Sequence, residues 1–154
     1  MATESQLTVI LGKLVTLLDA VSGVQRVYAY EPFVTAPAQY TSTMGGSQAV
    51  DYWTVRPATS EPARQVGYQM EFHHIVAFRH YLSVGAVDQT TPTVDQVALA
   101  VLNRFSTVFA ITPEAEMTGP LRAVEWAEFF MLGGGELVYR SVFHLPVQEL
   151  VVTQ

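Results

Sequence analysis

The sequence predicts an α+β domain, a mixed, largely antiparallel five-stranded sheet with two helices packed on one face, in the order α-β-β-β-α-β-β. Three observations predict it. Leu7 to Val21 and Val94 to Phe109 carry apolar residues at helical spacing. Between them, Tyr68, Met70, Phe72, His74, Val76, Phe78, His80 and Leu82 fall on one parity of the segment Val66 to Leu82, the period of a half-buried strand. Gly133-Gly134-Gly135 joins two strand-like runs, Leu121 to Leu132 and Leu137 to Val152, and glycine supplies the positive φ angles a hairpin turn demands. With 154 residues, about half of them apolar, the chain is read as one domain over residues 1–154.

Thr3 is placed to cap the first helix, with Gln6 completing a capping box. Leu7, Ile10, Leu11, Leu14, Leu18 and Val21 form its apolar stripe, and Gly23 stops it. Val24 to Tyr30 is a short strand ended by Pro32. The polar loop from about 31 to 49 exceeds the roughly 12 to 15 residues usual for a structureless connection and is the candidate binding arm. Val50 to Arg56 is a second strand closed by Pro57, and a second loop, Pro57 to Gln65, leads into the long third strand. At about 3.3 Å per residue that strand spans roughly 50 Å, far beyond a typical five or six residues, and points to contacts between subunits.

Thr91 or Thr93 caps the second helix, with Pro92 in its first turn and a stripe of Val94, Val97, Ala98, Val101, Leu102, Phe105, Val108 and Phe109. Pro113 to Pro120 is a polar, partly acidic connection. Two helices cover one face of such a sheet, so the other meets water or a partner. Val138, Val142, Ile75 and Ala77, on the less apolar parity of their strands, make part of that face dry, and a neighbouring subunit is the simplest cover.

A net charge of −6 with eight basic residues, none of them clustered in sequence, argues against a surface that holds phosphates. The absence of cysteine excludes disulfides, thiolate metal sites and a cysteine nucleophile. The first six residues lack a basic n-region and no apolar run reaches about 18 residues, so a soluble chain made inside the cell is expected. Gly133-Gly134-Gly135-Glu136 lacks the Lys and Ser or Thr of a phosphate loop, and neither G-x-S-x-G nor H-E-x-x-H occurs. His73 and His74 point to opposite faces of a strand, and His74 and His80 lie about 20 Å apart, so no metal or cofactor is expected. Glu71 and His73 share a face, and with His144 they would make a metal or general-base site. The competing reading is hydrogen-bonded or interface histidines.

Phe33, Tyr40, Tyr52 and Trp53, gathered around the long loop, with Arg56, Arg79, Tyr81 and Arg140 on the strands, are the candidate subunit or partner contacts, because aromatic and arginine side chains anchor interfaces. Tyr52 and Trp53 alternate across a strand, so one of them is equally read as core. For Trp126, Phe129 and Phe130 the core reading is the better one. Glu61, Glu114, Glu116, Glu125 and Glu128 are either solvated charges or a repulsive lining that keeps DNA from sticking.

The element order, the capped first helix, the long strand Tyr68 to Leu82 and the closing run Tyr139-Arg140-Ser141-Val142-Phe143-His144-Leu145-Pro146-Val147 together resemble the tail terminator or tail completion proteins of long-tailed bacteriophages. The resemblance covers nearly the whole chain and is one of pattern and size. It implies a subunit that forms a ring with itself, commonly a hexamer, on the head-proximal end of the tail tube. Its partners would be the tail tube protein and the head connector or neck protein, with genomic DNA passing through the lumen without specific binding. Glu61, Glu114 and Glu116 are the candidate lumen acids, no catalytic residue is implied, and the expected location is the virion head-tail junction after synthesis in the host cytoplasm, with no membrane involved. A neck protein bridging connector and tail is the alternative the long loop raises. A small ligand-binding or hydrolytic domain using His73, Glu71 and His144 is the rival of another class.

Overall fold

A computed structural model of the chain describes residues 5–31, 50–84, 87–132 and 137–152. Its elements are α1 (Leu7–Asp19), β1 (Val27–Tyr28), β2 (Asp51–Val66), β3 (Gln69–Ser83), α2 (Val87–Arg104), β4 (Ala110–Thr112), β5 (Ala115–Met117), β6 (Arg122–Met131) and β7 (Leu137–Val152). The fold is α+β, as expected. Among the described residues the sheet has seven strands where five were expected, in the order β1-β2-β3-β7-β5-β4, with β6 also on β7. It is mixed because β1 runs parallel to β2, while every other pairing is antiparallel.

Two corrections account for the extra length and count. Pro57 does not close β2, and the expected loop from Pro57 to Gln65 is strand paired with β3. Proline is tolerated at an edge or a bulge, where no ladder donor is lost. Here the register shifts fall at Pro57/Thr59 and Pro62/Arg64, on a strand that β1 pairs only at Trp53 and Thr54. The connection from Pro113 to Pro120 contains β5, which β7 pairs through Val147 to Glu149, and β4, which follows directly on Phe109, the expected end of the second helical stripe, pairs with β5.

β2 and β3 form one hairpin turned at Gly67 and Tyr68, with Gly67 at φ 58°. The long strand therefore starts at Gln69, later than Val66. Its expected parity holds beyond the turn, where His74, Val76, Phe78, His80 and Leu82 are all buried. The turn expected at Gly133-Gly134-Gly135 lies outside the described residues, as do Thr3 and the loop positions 32–49.

Both helices pack on this same face. Ile10, Leu11, Leu14 and Leu18 of α1 and Val97, Ala98 and Val101 of α2, with Phe105 just past its end, share one core with Trp53, Val55, Val76, Phe78, Phe143, Leu145 and Val147. The second stripe stops short of its expected end, because α2 closes at Arg104 and Val108 is exposed. After α1 the chain reverses at Gly23, whose φ of 93° and missing side chain let it sit against Val97.

The opposite, open face is partly dry within the chain itself, with Ile75 half-buried. Val138 belongs to a second cluster with Val50, Tyr52, Tyr81 and Leu132, flanked by Tyr28 and Phe130. Ala77 and Val142 are likewise buried within the single chain.

Candidate functional site

Residues in direct register across neighbouring strands project to the same side of a sheet, so the ladders assign the open face row by row. One row runs Glu61, His73, Gln148, Glu116 across β2, β3, β7 and β5. Four residues along β3, about 13 Å, the next charged row runs Arg56, Ala77, His144, Arg122 across β2, β3, β7 and β6. Beyond it lie Thr54, Arg79, Val142, Glu125 and then Tyr52, Tyr81, Arg140, Glu128.

Five candidate contacts, Tyr52, Arg56, Arg79, Tyr81 and Arg140, thus share the open face, while Trp53 faces the helices. Phe33 and Tyr40 lie outside the described residues. The aromatic members are not surface anchors. Tyr52, Trp53 and Tyr81 are 2, 0 and 4% exposed, Tyr52 stacked on Tyr81 at 4.8 Å and Trp53 on His80 at 4.5 Å. Burial pushes the Tyr81 phenol above its ordinary range, with the Glu31 carboxylate adding to the shift. The arginines are half-buried and each is held: Arg56 donates to the Ala29 carbonyl at 3.3 Å, Arg79 pairs with Glu31 at 3.5 Å, and Arg140 pairs with Glu125 at 3.0 Å while lying over the Phe130 ring.

Several basic residues, unclustered in sequence, do share a face, though Arg79 and Arg140 there are paired with Glu31 and Glu125. Arg56, Arg79, Arg122 and Arg140 are far apart in sequence, and the strand register collects them on one face. His144 sits among them, and its imidazole is held below the ordinary histidine value by burial first, then by Arg122 and Arg79. Beside it is a concavity of about 410 Å³ lined by Ile75, Gly119, Pro120, Arg122, His144 and Pro146.

Of the candidate lumen acids, Glu61 and Glu116 are exposed and share a row, three strand spacings or roughly 14 Å apart. Glu114 lies in the β4–β5 turn, its carbonyl accepting the Leu150 N–H at 2.9 Å.

The catalytic constellation read from the sequence does not assemble. Glu71 meets His73 at 2.7 Å and Arg64 at 3.3 Å, but His144 pairs with Ala77, six residues along β3 from Glu71 and so roughly 20 Å away. Among the described residues no group of three His, Asp or Glu side chains is placed to hold a metal ion.

The structure forms a different network, on the helix face, that local reasoning missed. His74 and Glu149 are both buried, with His74 Nε2 to Glu149 Oε1 at 2.9 Å and His74 Nδ1 to Ser60 Oγ at 2.8 Å. A carboxylate only accepts, so Nε2 carries a proton, and in the neutral ring Nδ1 accepts from Ser60. Glu149 also accepts from Ser5 Oγ at 2.8 Å and from the Gln6 backbone N–H at 2.6 Å. Serine, histidine and glutamate in this order have the connectivity of a hydrolytic triad. However, acyl transfer would also need oxyanion donors beside Ser60 Oγ, whereas the Gln6 N–H is bound at the far, carboxylate end of the chain of contacts. The network is a clamp on the start of α1. Its signal in the sequence was a charged residue, Glu149, on the mostly apolar parity of its strand.

The last feature is the β6 edge. Phe129, Met131 and Leu137 are 67, 57 and 41% exposed, against the expectation of a core Phe129. Ala127, at φ 50°, sits in a register irregularity between Glu125 and Glu128 that breaks the alternation assumed for a regular strand. Trp126 is also at the surface, its indole N–H donating to Asp95 of α2 at 2.7 Å. Among the described residues β6 pairs only with β7, so its outer edge is open.

No protein-family model matches the chain, and neither does any curated protein. No helix among the described residues is long and apolar enough to cross a membrane.

Proposed function

We propose that the protein is a virion structural protein of the tail terminator type, a ring, hexameric in the expected form, that caps the head-proximal end of a phage tail tube and joins it to the head connector. The observation that carries this reading is the β6 edge, unpaired among the described residues, with Phe129 and Met131 of β6 and Leu137 of β7 exposed beside it. Contiguous exposed apolar side chains on an unpaired strand mark a site of association. The other long edge, β2, carries Pro57 and Pro62 with two register shifts and is blunted against pairing. In a ring the β6 edge would meet an unlike surface of the neighbouring subunit, a heterologous contact that closes when the rotation allows.

In the capping mechanism one side of the ring matches the last ring of the tube, and the other offers no surface for a further tube subunit. Exposed Glu61 and Glu116 are candidates for the lumen, where like charge lets DNA pass. The resemblance in element order supports the same reading.

The test is tail assembly without the protein. Overlong tubes are expected for a terminator, whereas unattached tails of normal length would overturn this reading in favour of a neck protein. At the level of the subunit, Phe129→Asp should abolish the ring seen by light scattering, with affinity falling at least about 30-fold as for an interface hot spot. An unchanged mass would remove β6 from the interface.

A further inference from the structure

We propose that Arg122 and His144, with Arg79 nearby, form a binding site for a phosphate-class oxyanion on the open face. The site goes beyond the ring reading and does not depend on it. Three observations converge on it.

The first is placement. Arg56, Ala77, His144 and Arg122 occupy one register row, and Arg79, two residues from Ala77 on β3, points to the same side. The small Ala77 leaves the row low in the middle, and Ile75 and Pro146 form an apolar wall of the adjoining concavity. Cationic groups beside an apolar wall act in a weaker dielectric than water, which strengthens their hold on an anion.

The second is availability. Arg140 is committed to Glu125, Arg79 leans on Glu31 across a 3.5 Å pair, and Arg56 is held by a carbonyl oxygen. The Arg122 guanidinium has no hydrogen bond or ion pair among the described residues, and it lies at the mouth of the concavity. A guanidinium offers paired N–H donors in a fork that fits two phosphate oxygens.

The third is the state of His144. Burial first, and then Arg122 and Arg79, disfavour its charged form, and the arginine share marks a local positive potential in a chain whose net charge is −6. Glu125 and Glu31 are already paired with Arg140 and Arg79. Glu61 and Glu116 on one side and Glu128 on the other, with no ion pair among the described residues, lie about 13 Å along the strands. An arriving dianion reverses the balance, so His144 takes up a proton as the anion binds and becomes a second charged donor.

Two sources supply this chemistry, the phosphodiester backbone of a nucleic acid and free phosphate. The experiment follows the His144 ring resonances by NMR while inorganic phosphate, and separately a short DNA duplex, is added at low salt. The expected result is a saturable shift with phosphate and a higher His144 pKa in the bound state, lost at least about tenfold in affinity in Arg122→Ala, since one hydrogen bond to a charged group is worth about 1.5 to 3 kcal/mol. Arg104→Ala, on α2 and away from this face, should bind as the parent does. A matching response to the duplex that weakens steeply with salt assigns the site to a phosphodiester backbone, and a response to phosphate alone assigns it to the free anion. No saturable shift in the folded parent protein, or equal binding by Arg122→Ala, would overturn the site. A shift that follows protein concentration alone would also overturn it, placing carboxylates of a second copy there.

Discussion

The Gln6 backbone N–H donates to the Glu149 carboxylate at 2.6 Å, so the first turn of the first helix is capped by the last strand of the chain. The negative charge lies where the helix dipole favours it and where an N–H otherwise lacks an intrahelical partner. His74 and Ser5 take up further lone pairs of the same carboxylate, so α1 is fastened to the sheet by a buried polar cluster as well as by its apolar stripe.

Glu149→Gln is expected to destabilise the fold by about 3 kcal/mol, because an amide turns a donor towards donors and leaves the buried cluster partly unpaired. Urea unfolding reads this as a lower midpoint at unchanged m. A loss below about 1 kcal/mol would mean that the cluster contributes little beyond packing.

Ser60 is expected to be unreactive despite its 2.8 Å contact with His74. A fluorophosphonate probe should leave the protein unmodified, and Ser60→Ala should cost only about 1 kcal/mol, the worth of an ordinary hydrogen bond. Covalent labelling at Ser60 would restore a hydrolytic reading.

Gly23→Ala is expected to lower stability by about 2 kcal/mol, from a left-handed backbone that side chains disfavour. The new methyl would also stand 2.9 Å from Val97 Cγ2, tying the cost to α2 packing. Thermal unfolding of Gly23→Ala with and without Val97→Ala checks the coupling. The second change should recover part of the loss, and strict additivity would leave the backbone alone responsible.

Tyr81 makes stability fall at high pH. Its phenol ionises above the ordinary value of 10.0 in the folded chain because it is buried and near Glu31. The unfolded chain then releases this proton first, so the contribution is complete below about pH 10 and is lost as pH rises towards the folded value. Tyr81→Phe should flatten that part of the alkaline unfolding profile, and an identical profile would show that another group controls it.

The apolar stripes of α1 and α2 and the parity of His74 to Leu82 were legible in the sequence, because a helix or a one-sided strand imposes its period on every buried position. The class of the fold followed from them. Pro57 and Pro62 misled because proline usually ends a strand, and only pairing with β3 shows that they ride on bulges of an edge. Phe129 read as core until Ala127 broke the alternation of β6. The sites were far less legible. Arg56, Arg79, Arg122 and His144 come onto one face only through register between strands distant in the chain, and Gln6 meets Glu149 only when the last strand runs beneath the first helix. Periodic burial is a local property that one segment carries by itself. Which charges and hydrogen-bonding groups face one another is decided by pairing across the sheet, and only the tertiary structure sets it.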